Sequence, residues 1–259
     1  MNILDRIVEN KKRELFEKKQ SITIDMLAQS TYYGRKTISL SESISIDSAT
    51  GIIAEFKRSS PSKGVINDMV SPLQVAVDYQ AAGASAISIL TDHDFFGGSD
   101  ADLLSVRDAI DIPILRKEFI IDPFQIHEAK SIGADMILLI AACLTPAEVR
   151  SYSALAKSLS LEVLLELHDE EEIGHICDEI DFVGINNRSL KTFDVNIQRS
   201  LDMAKKIPEG KLKIAESGID NPNIISLFRE NGYVGFLIGE NFMKTNNPGK
   251  ALTNFIKSI

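Results

Sequence analysis

Ile52-Ile53-Ala54-Glu55-Phe56-Lys57 is an apolar run of strand character that closes in charge, and the same construction returns at Ile114-Leu115-Arg116-Lys117-Glu118-Phe119 and at Leu161-Glu162-Val163-Leu164-Leu165-Glu166. Removing an unpartnered carboxylate or ammonium from water is costly, so ionisable groups at the ends of three separate β-runs call for a common cause. The rim of a parallel barrel, where active sites form at the C-terminal ends of the strands, supplies one.

Outward from these runs the pattern repeats. Strand-like segments at 51–57, 85–91, 113–118, 136–140, 161–167, 182–186, 212–216 and 234–238 alternate with segments of helical period. Nearly all are rich in Ile, Leu and Val, as strands buried on both faces are. Between them lie helical stretches such as Pro72 to Ala82, Pro123 to Ile132, Pro146 to Leu159 and Pro222 to Glu230, each with proline near its first turn. Ala82-Gly83-Ala84, Ile132-Gly133-Ala134 and Asn231-Gly232-Tyr233 put glycine where a left-handed C-cap returns the chain to the next strand.

This predicts an α/β protein, a (β/α)8 TIM barrel with an N-terminal helical extension: one domain over 1–259, with the extension at 1–50 and eight βα units at 51–259. A doubly wound open sheet is the alternative. It is disfavoured because no GxGxxG follows the first strand and the informative residues come from many strands. In the extension, Leu4, Ile7, Val8 and Leu15 mark an amphipathic helix, followed by a polar stretch around Tyr32 to Ser48. That helix could plug the bottom of the barrel or cover its catalytic face, and the local pattern leaves both open.

The 259 residues carry a net charge of -9 with lysines spread along the chain, which argues against a nucleic-acid partner. Met1-Asn2-Ile3-Leu4-Asp5-Arg6 is charged where a secretory signal would be apolar, and no run approaches membrane-spanning length, so a cytoplasmic protein without a membrane partner is expected. Cys143 and Cys177 lack CxxC spacing and read as buried free thiols. His93, His127, His168 and His175 form no HxH or HExxH pair, so no metal is expected.

Alternation along a strand puts Ile53, Glu55 and Lys57 on one face, Leu115, Lys117 and Phe119 on another strand's equivalent face, and Leu164, Glu166 and His168 on a third. Two lysines and two glutamates thus converge inside the barrel. Arg116 and Glu118 have the opposite parity and are expected to face the helices as paired structural charges. A structural ion network capping the core is the competing reading, but such a network could fall at either end of the strands, whereas these charges fall at the catalytic end.

Phe182-Val183-Gly184-Ile185-Asn186-Asn187-Arg188 closes with amides and a guanidinium suited to a hydroxyl or carboxylate. Lys213-Ile214-Ala215-Glu216-Ser217-Gly218-Ile219 and Gly235-Phe236-Leu237-Ile238-Gly239-Glu240 bring glycine and serine to the ends of the seventh and eighth strands, a frequent phosphate site in barrels. Ser59-Ser60-Pro61-Ser62-Lys63-Gly64 adds hydroxyls and a lysine.

Together these segments, with Ser88-Ile89-Leu90-Thr91-Asp92 and Phe96, resemble the indole-3-glycerol-phosphate synthase family nearly end to end. The resemblance implies a carboxy-lyase of tryptophan biosynthesis that closes, decarboxylates and dehydrates 1-(2-carboxyphenylamino)-1-deoxyribulose 5-phosphate without a cofactor. It implies Lys117 as general acid on the keto oxygen, Glu166 as base of the dehydration, and Lys57 as partner of the anthranilate carboxylate. Glu55 would hold the charges and Asn186 and Arg188 would bind hydroxyls or carboxylate. Glu216 would support the lysines and the sugar, with Phe96 and Phe119 against the anthranilate ring. Ser60, Ser217, Gly218, Gly239 and Glu240 match phosphate-binding positions.

The stretch Gly34 to Ser48 carries little of the family's pattern. The chain ends at Ile259 soon after the eighth unit, so a single activity without a fused isomerase domain is expected, in a monomer that meets only its small phosphorylated substrate. Another phosphate-binding barrel such as a phosphoribosyl isomerase, and a barrel that binds a phosphorylated metabolite without turnover, are the competing functions.

Overall fold

The computed structural model describes residues 2–189 and 194–259. Eight parallel strands close a barrel. They are β1 (Ile52–Phe56), β2 (Ala86–Leu90), β3 (Ile114–Lys117), β4 (Met136–Ile140), β5 (Glu162–Leu167), β6 (Phe182–Asn186), β7 (Leu212–Glu216) and β8 (Tyr233–Ile238). Each falls on a segment expected from the sequence. The ring closes where β1 pairs with β8 through Ile52↔Phe236, Ile53↔Leu237 and Ala54↔Ile238.

The two parities build two cores. Ile53, Leu115, Met136, Leu138, Leu164, Phe182, Ile214 and Leu237 fill the barrel, while Ile52, Ala54, Phe56, Ile87, Ile89 and Ile137 pack outward under the helices. A parallel strand buried on both faces needs apolar residues at both parities, which is why these runs do not alternate with polar residues.

The helices are α1 (Ile3–Ser21), α2 (Ile24–Ala28), α3 (Leu40–Ile44), α4 (Pro72–Ala82), α5 (Asp100–Arg107), α6 (Phe124–Ser131), α7 (Pro146–Ser158), α8 (Ile197–Ala204), α9 (Pro222–Glu230), α10 (Glu240–Met243) and α11 (Pro248–Ile256). Proline opens α4, α7, α9 and α11, where its missing N–H would have had no helical partner. Gly83 ends α4 at φ 99°, as a left-handed cap requires.

The expected eight-fold repeat is interrupted once. After β5 the connection is a 3-10 segment, Glu170–His175. Its sequence, Glu170-Glu171-Glu172-Ile173-Gly174-His175, offers Ile173 as its one large apolar side chain, too little to hold an amphipathic helix against the barrel.

The extension does both things that its sequence left open, with different helices. At the bottom, Leu40 of α3 is fully buried among Ile53, Ala86, Leu115 and Met136. Its N–H donates to Glu162 at 2.7 Å, at the start of β5. At the top, α1 lies across the strand ends. Lys11 Nζ sits 3.1 Å from both Asp92 and Glu118, and 2.6 Å from Glu14. Between the two ends the chain runs down the outside. Arg35 pairs with the fully buried Asp135 at 2.5 Å, and Asp135 also takes Arg107 at 2.6 Å.

Arg116 faces the helices as its parity predicts, pairing with Asp100 at 2.7 Å and Glu128 at 2.6 Å. Glu118 also has a structural partner, but it is Lys11 of α1. The two thiols depart from expectation: Cys143 and Cys177 are free but half-buried, the first closing a 3-10 turn after β4 and the second in the loop after the 3-10 segment 170–175.

Candidate active site

A cavity of about 420 Å³ opens at the C-terminal end of the barrel. The side chains that enter it are those of interior parity. Lys117, the last residue of β3, donates to Glu166 Oε2 at 3.1 Å and to Glu216 Oε2 at 2.7 Å. Asn186 Nδ2 donates to Glu166 Oε1 at 3.0 Å. Lys57 Nζ lies 2.7 Å from Glu55 Oε1. Five strands thus meet in one charged floor.

Two glycines make room for it. A Cβ at Gly184 would stand 2.1 Å from Glu216 Oε1, and one at Gly239 would stand 2.5 Å from Glu55 Oε1. At these strand ends glycine is spatial clearance for a carboxylate, whatever turn it also permits.

The charge states follow from the packing. Burial disfavours the charge on Lys117, but the carboxylates of Glu166, Glu216 and Glu55 outweigh it and hold its pKa above the ordinary lysine value. Burial likewise opposes the charge on Glu166, yet the Lys117 ammonium, together with His168 and Asn186, holds that carboxyl well below the usual range. Glu216 goes the other way: burial and the neighbouring Glu166 charge push it up to about 8 against the pull of Lys117. The asymmetry has a local cause. Both oxygens of Glu166 face donors, whereas Glu216 Oε1 is buried without a hydrogen-bond partner among the described residues. One ammonium between two carboxylates favours a state in which one of them keeps a proton.

The rim is built from loops. Ser217 and Gly218 are both left-handed, at φ 65° and 67°. For a non-glycine residue that backbone stores strain, and the Ser217 carbonyl is held by Asn187 Nδ2 at 2.7 Å. After β8, Gly239 leads into the four-residue α10. Glu240 at its start lies 3.8 Å from Lys63 and 3.5 Å from Arg188. Ser59–Ser60 and Gly64–Val65 pair as a short antiparallel hairpin beyond β1. Phe96 and Phe119 stack at a tilt with ring centroids 5.9 Å apart.

All the expected site residues line the cavity. Glu55, Lys57, Lys117, Glu166, Asn186 and Glu216 form the floor. Ser60, Arg188, Ser217, Gly218, Gly239 and Glu240 form one wall, and Phe96 and Phe119 the apolar side. Residues outside the expected set also line it, among them His168, Lys244, and Ile3, Leu4 and Ile7 of α1. His168 was signalled by its shared parity with Glu166. Lys244 carried no signal, because α10 brings it in. Among the described residues no cluster of three or more His, Cys, Asp or Glu side chains is arranged to hold a metal ion.

The family model for indole-3-glycerol phosphate synthase matches residues 4–255. A curated indole-3-glycerol phosphate synthase from Bacteroides thetaiotaomicron is 45% identical over 258 residues, covering 100% of this chain and 99% of that one. The chain belongs to the indole-3-glycerol phosphate synthase family. A second synthase of the family, from Bordetella pertussis, is 44% identical over 207 residues, 80% of this chain and 79% of that one.

Solved structures reach further but say less. A mutant tryptophan synthase alpha-subunit from Pyrococcus furiosus superposes with a TM-score of 0.58 at 15% identity, over 80% of this chain and 96% of that one. A thiamine phosphate pyrophosphorylase, also from Pyrococcus furiosus, gives 0.58 at 13% identity, over 80% and 93%. At such identity the likeness is one of fold.

Proposed function

We propose that this cavity converts 1-(2-carboxyphenylamino)-1-deoxyribulose 5-phosphate to indole-3-glycerol phosphate, carbon dioxide and water, as a carboxy-lyase of tryptophan biosynthesis. The observation that carries this reading is the Lys117 ammonium, kept charged between Glu166 and Glu216. A buried cation aimed into an organic-anion pocket is suited to protonate a keto oxygen as negative charge develops there.

In this reading Lys117 donates to the substrate's keto oxygen. The ring carbon that bears the carboxylate attacks the activated carbon, carbon dioxide leaves, and the ring recovers its aromaticity. Glu166 then takes a proton from the methylene carbon next to the carbinol while Lys57 donates one to the departing hydroxyl, which leaves as water. Lys57, held by Glu55, pairs with the anthranilate carboxylate. Asn186 and Arg188 bind hydroxyls or carboxylate, and Glu216 keeps Lys117 aimed.

Phe96 and Phe119 form the flat apolar wall for the anthranilate ring. The turn at Ser217 and Gly218, with Ser60 and the N–H groups of Gly239 and Glu240, receives the phosphate. The acid is an ammonium and the base a carboxylate, and the reaction has no net redox change, so the reading assigns no cofactor. It also takes the protein as a cytoplasmic monomer; no helix among the described residues is long and apolar enough to cross a membrane.

Indole-3-glycerol phosphate fluorescence tests this directly. Purified protein given the carboxyphenylamino substrate should generate the signal, and Lys117→Met should lose it by about a hundredfold or more, the scale of a general acid. Wild type that binds the substrate and forms no indole would sink the catalytic reading and favour a metabolite-binding barrel.

A further inference from the structure

His168 has no part in the chemistry above, yet it is 4% exposed and faces the same cavity two residues beyond Glu166. Its Nε2 lies 2.9 Å from Glu166 Oε1, in a charge contact that is not an aligned hydrogen bond. The same oxygen accepts from Asn186 Nδ2, while Lys117 holds the other. On the far side of the ring, Nδ1 faces Glu172 Oε2 at 3.9 Å. Glu172 is itself locked, because it accepts from the backbone N–H of His168 at 2.6 Å and of Asp169 at 3.3 Å.

A bare ring nitrogen would repel a carboxylate oxygen at 2.9 Å, so Nε2 carries the proton in either charge state of the ring. The nitrogen that titrates is therefore Nδ1, on the side of Glu172.

We propose that His168 is a positioning residue for Glu166, its Nε2–H by charge contact and the Asn186 amide by hydrogen bond together holding Oε1, so that Oε2, the oxygen beside Lys117, is the one that moves the proton. The inference rests on the reading of Glu166 as the dehydration base. It adds a second element: protonation of His168 at Nδ1 places a full positive charge against that base and weakens it.

The charged and titratable groups around the ring are Glu166 on β5, Glu172 on the segment that follows, Glu216 on β7, and Lys117 on β3 across Glu166. Cys143, in the turn after β4, feels Glu166 and Glu172 as well; burial first, then those charges, push its thiol up to about 12. Burial opposes protonation of His168, and Glu166, Glu172 and Glu216 outweigh it, so the ring titrates above the ordinary histidine value. Turnover limited by the dehydration should rise as the pH climbs through that point.

The test is indole-3-glycerol phosphate formation from about pH 6 to 9 by wild type, His168→Leu, His168→Gln and Glu166→Gln, since a bell-shaped profile reports the essential acid and base. His168→Leu should lose kcat by about tenfold to a hundredfold, the scale of a misplaced reacting group, with KM changed by less than about threefold. His168→Gln, whose amide N–H can face Oε1 in place of Nε2–H but does not titrate, should recover most of kcat but lack the acidic limb of the profile.

Unchanged kcat and profile in His168→Leu would overturn the proposal. So would a parallel fall of kcat and Tm in both variants, which marks a merely structural role, or an acidic limb retained in His168→Gln. Should His168→Leu fail to fold, His168→Gln decides alone by its limb. Failure of the underlying reading looks different: wild type makes no product, or Glu166→Gln turns over normally.

Discussion

At the scale of single residues, the cluster around Lys117 is an argument about one proton. Two carboxylates share one ammonium, and the better-donated one, Glu166, is held well below the usual range while Glu216 is pushed up to about 8. If the Glu166 charge contributes to raising Glu216 to about 8, then Glu166→Gln should move the Glu216 titration down. Carbon-13 NMR of labelled glutamate carboxyls reads this shift. A Glu216 signal that still titrates where it did would assign the whole effect to burial. Gly184→Ala makes a separate prediction. The added methyl would meet the mobile end of Glu216 first, with Leu164 Cδ1 next at 3.1 Å. The carboxylate can swing away from Lys117, so turnover should fall by about tenfold or more, the scale of a misplaced catalytic group. Tm should move little, and a large loss of Tm with normal turnover in the folded fraction would contradict this account.

At the scale of elements, α1 is the piece whose role depends on charge. Lys11 is 4% exposed, with Asp92 and Glu118 buried against it. Burial disfavours its charge, and Glu118 and Asp92 outweigh that and raise its pKa above the ordinary lysine value. Removing one member of a buried ion cluster leaves the others unpaired, at about 3–5 kcal/mol. Lys11→Met should therefore loosen α1 from the rim. Because Ile3, Leu4 and Ile7 wall the cavity, KM should rise. Hydrogen exchange should show protection lost in α1 and retained in the barrel strands. Equal loss in both would mean that α1 is integral to the core.

At the scale of the whole molecule, the barrel separates stability from chemistry by end. The bottom is closed by Leu40 and the Glu162 carboxylate that caps α3, and the top by α1 and the charged floor. Leu40→Ala removes a fully buried side chain from the interior core and should cost about 2–5 kcal/mol. A calorimetric scan should show a lower Tm while KM stays close to wild type. A raised KM at unchanged Tm would mean that the two ends are coupled through the barrel interior.

Much of this was legible in the chain. Period and punctuation placed eight strands, because a strand buried on both faces must be apolar throughout and a βα unit must begin and end its helix with residues that suit the turn. Parity then put Glu55, Lys57, Lys117 and Glu166 on one side of the wall, because the side-chain period of a strand is two. Three-dimensional packing decided the rest. The missing fifth helix turned on how little apolar surface 170–175 could bury. Gly184 and Gly239 look like turn residues until the carboxylates of neighbouring strands are seen to occupy the space their side chains would have filled. That α1 covers the top while α3 plugs the bottom depends on partners about eighty to a hundred and twenty residues away, at Asp92, Glu118 and Glu162. Local pattern records which faces a segment must bury, and only the closed barrel determines what they are buried against.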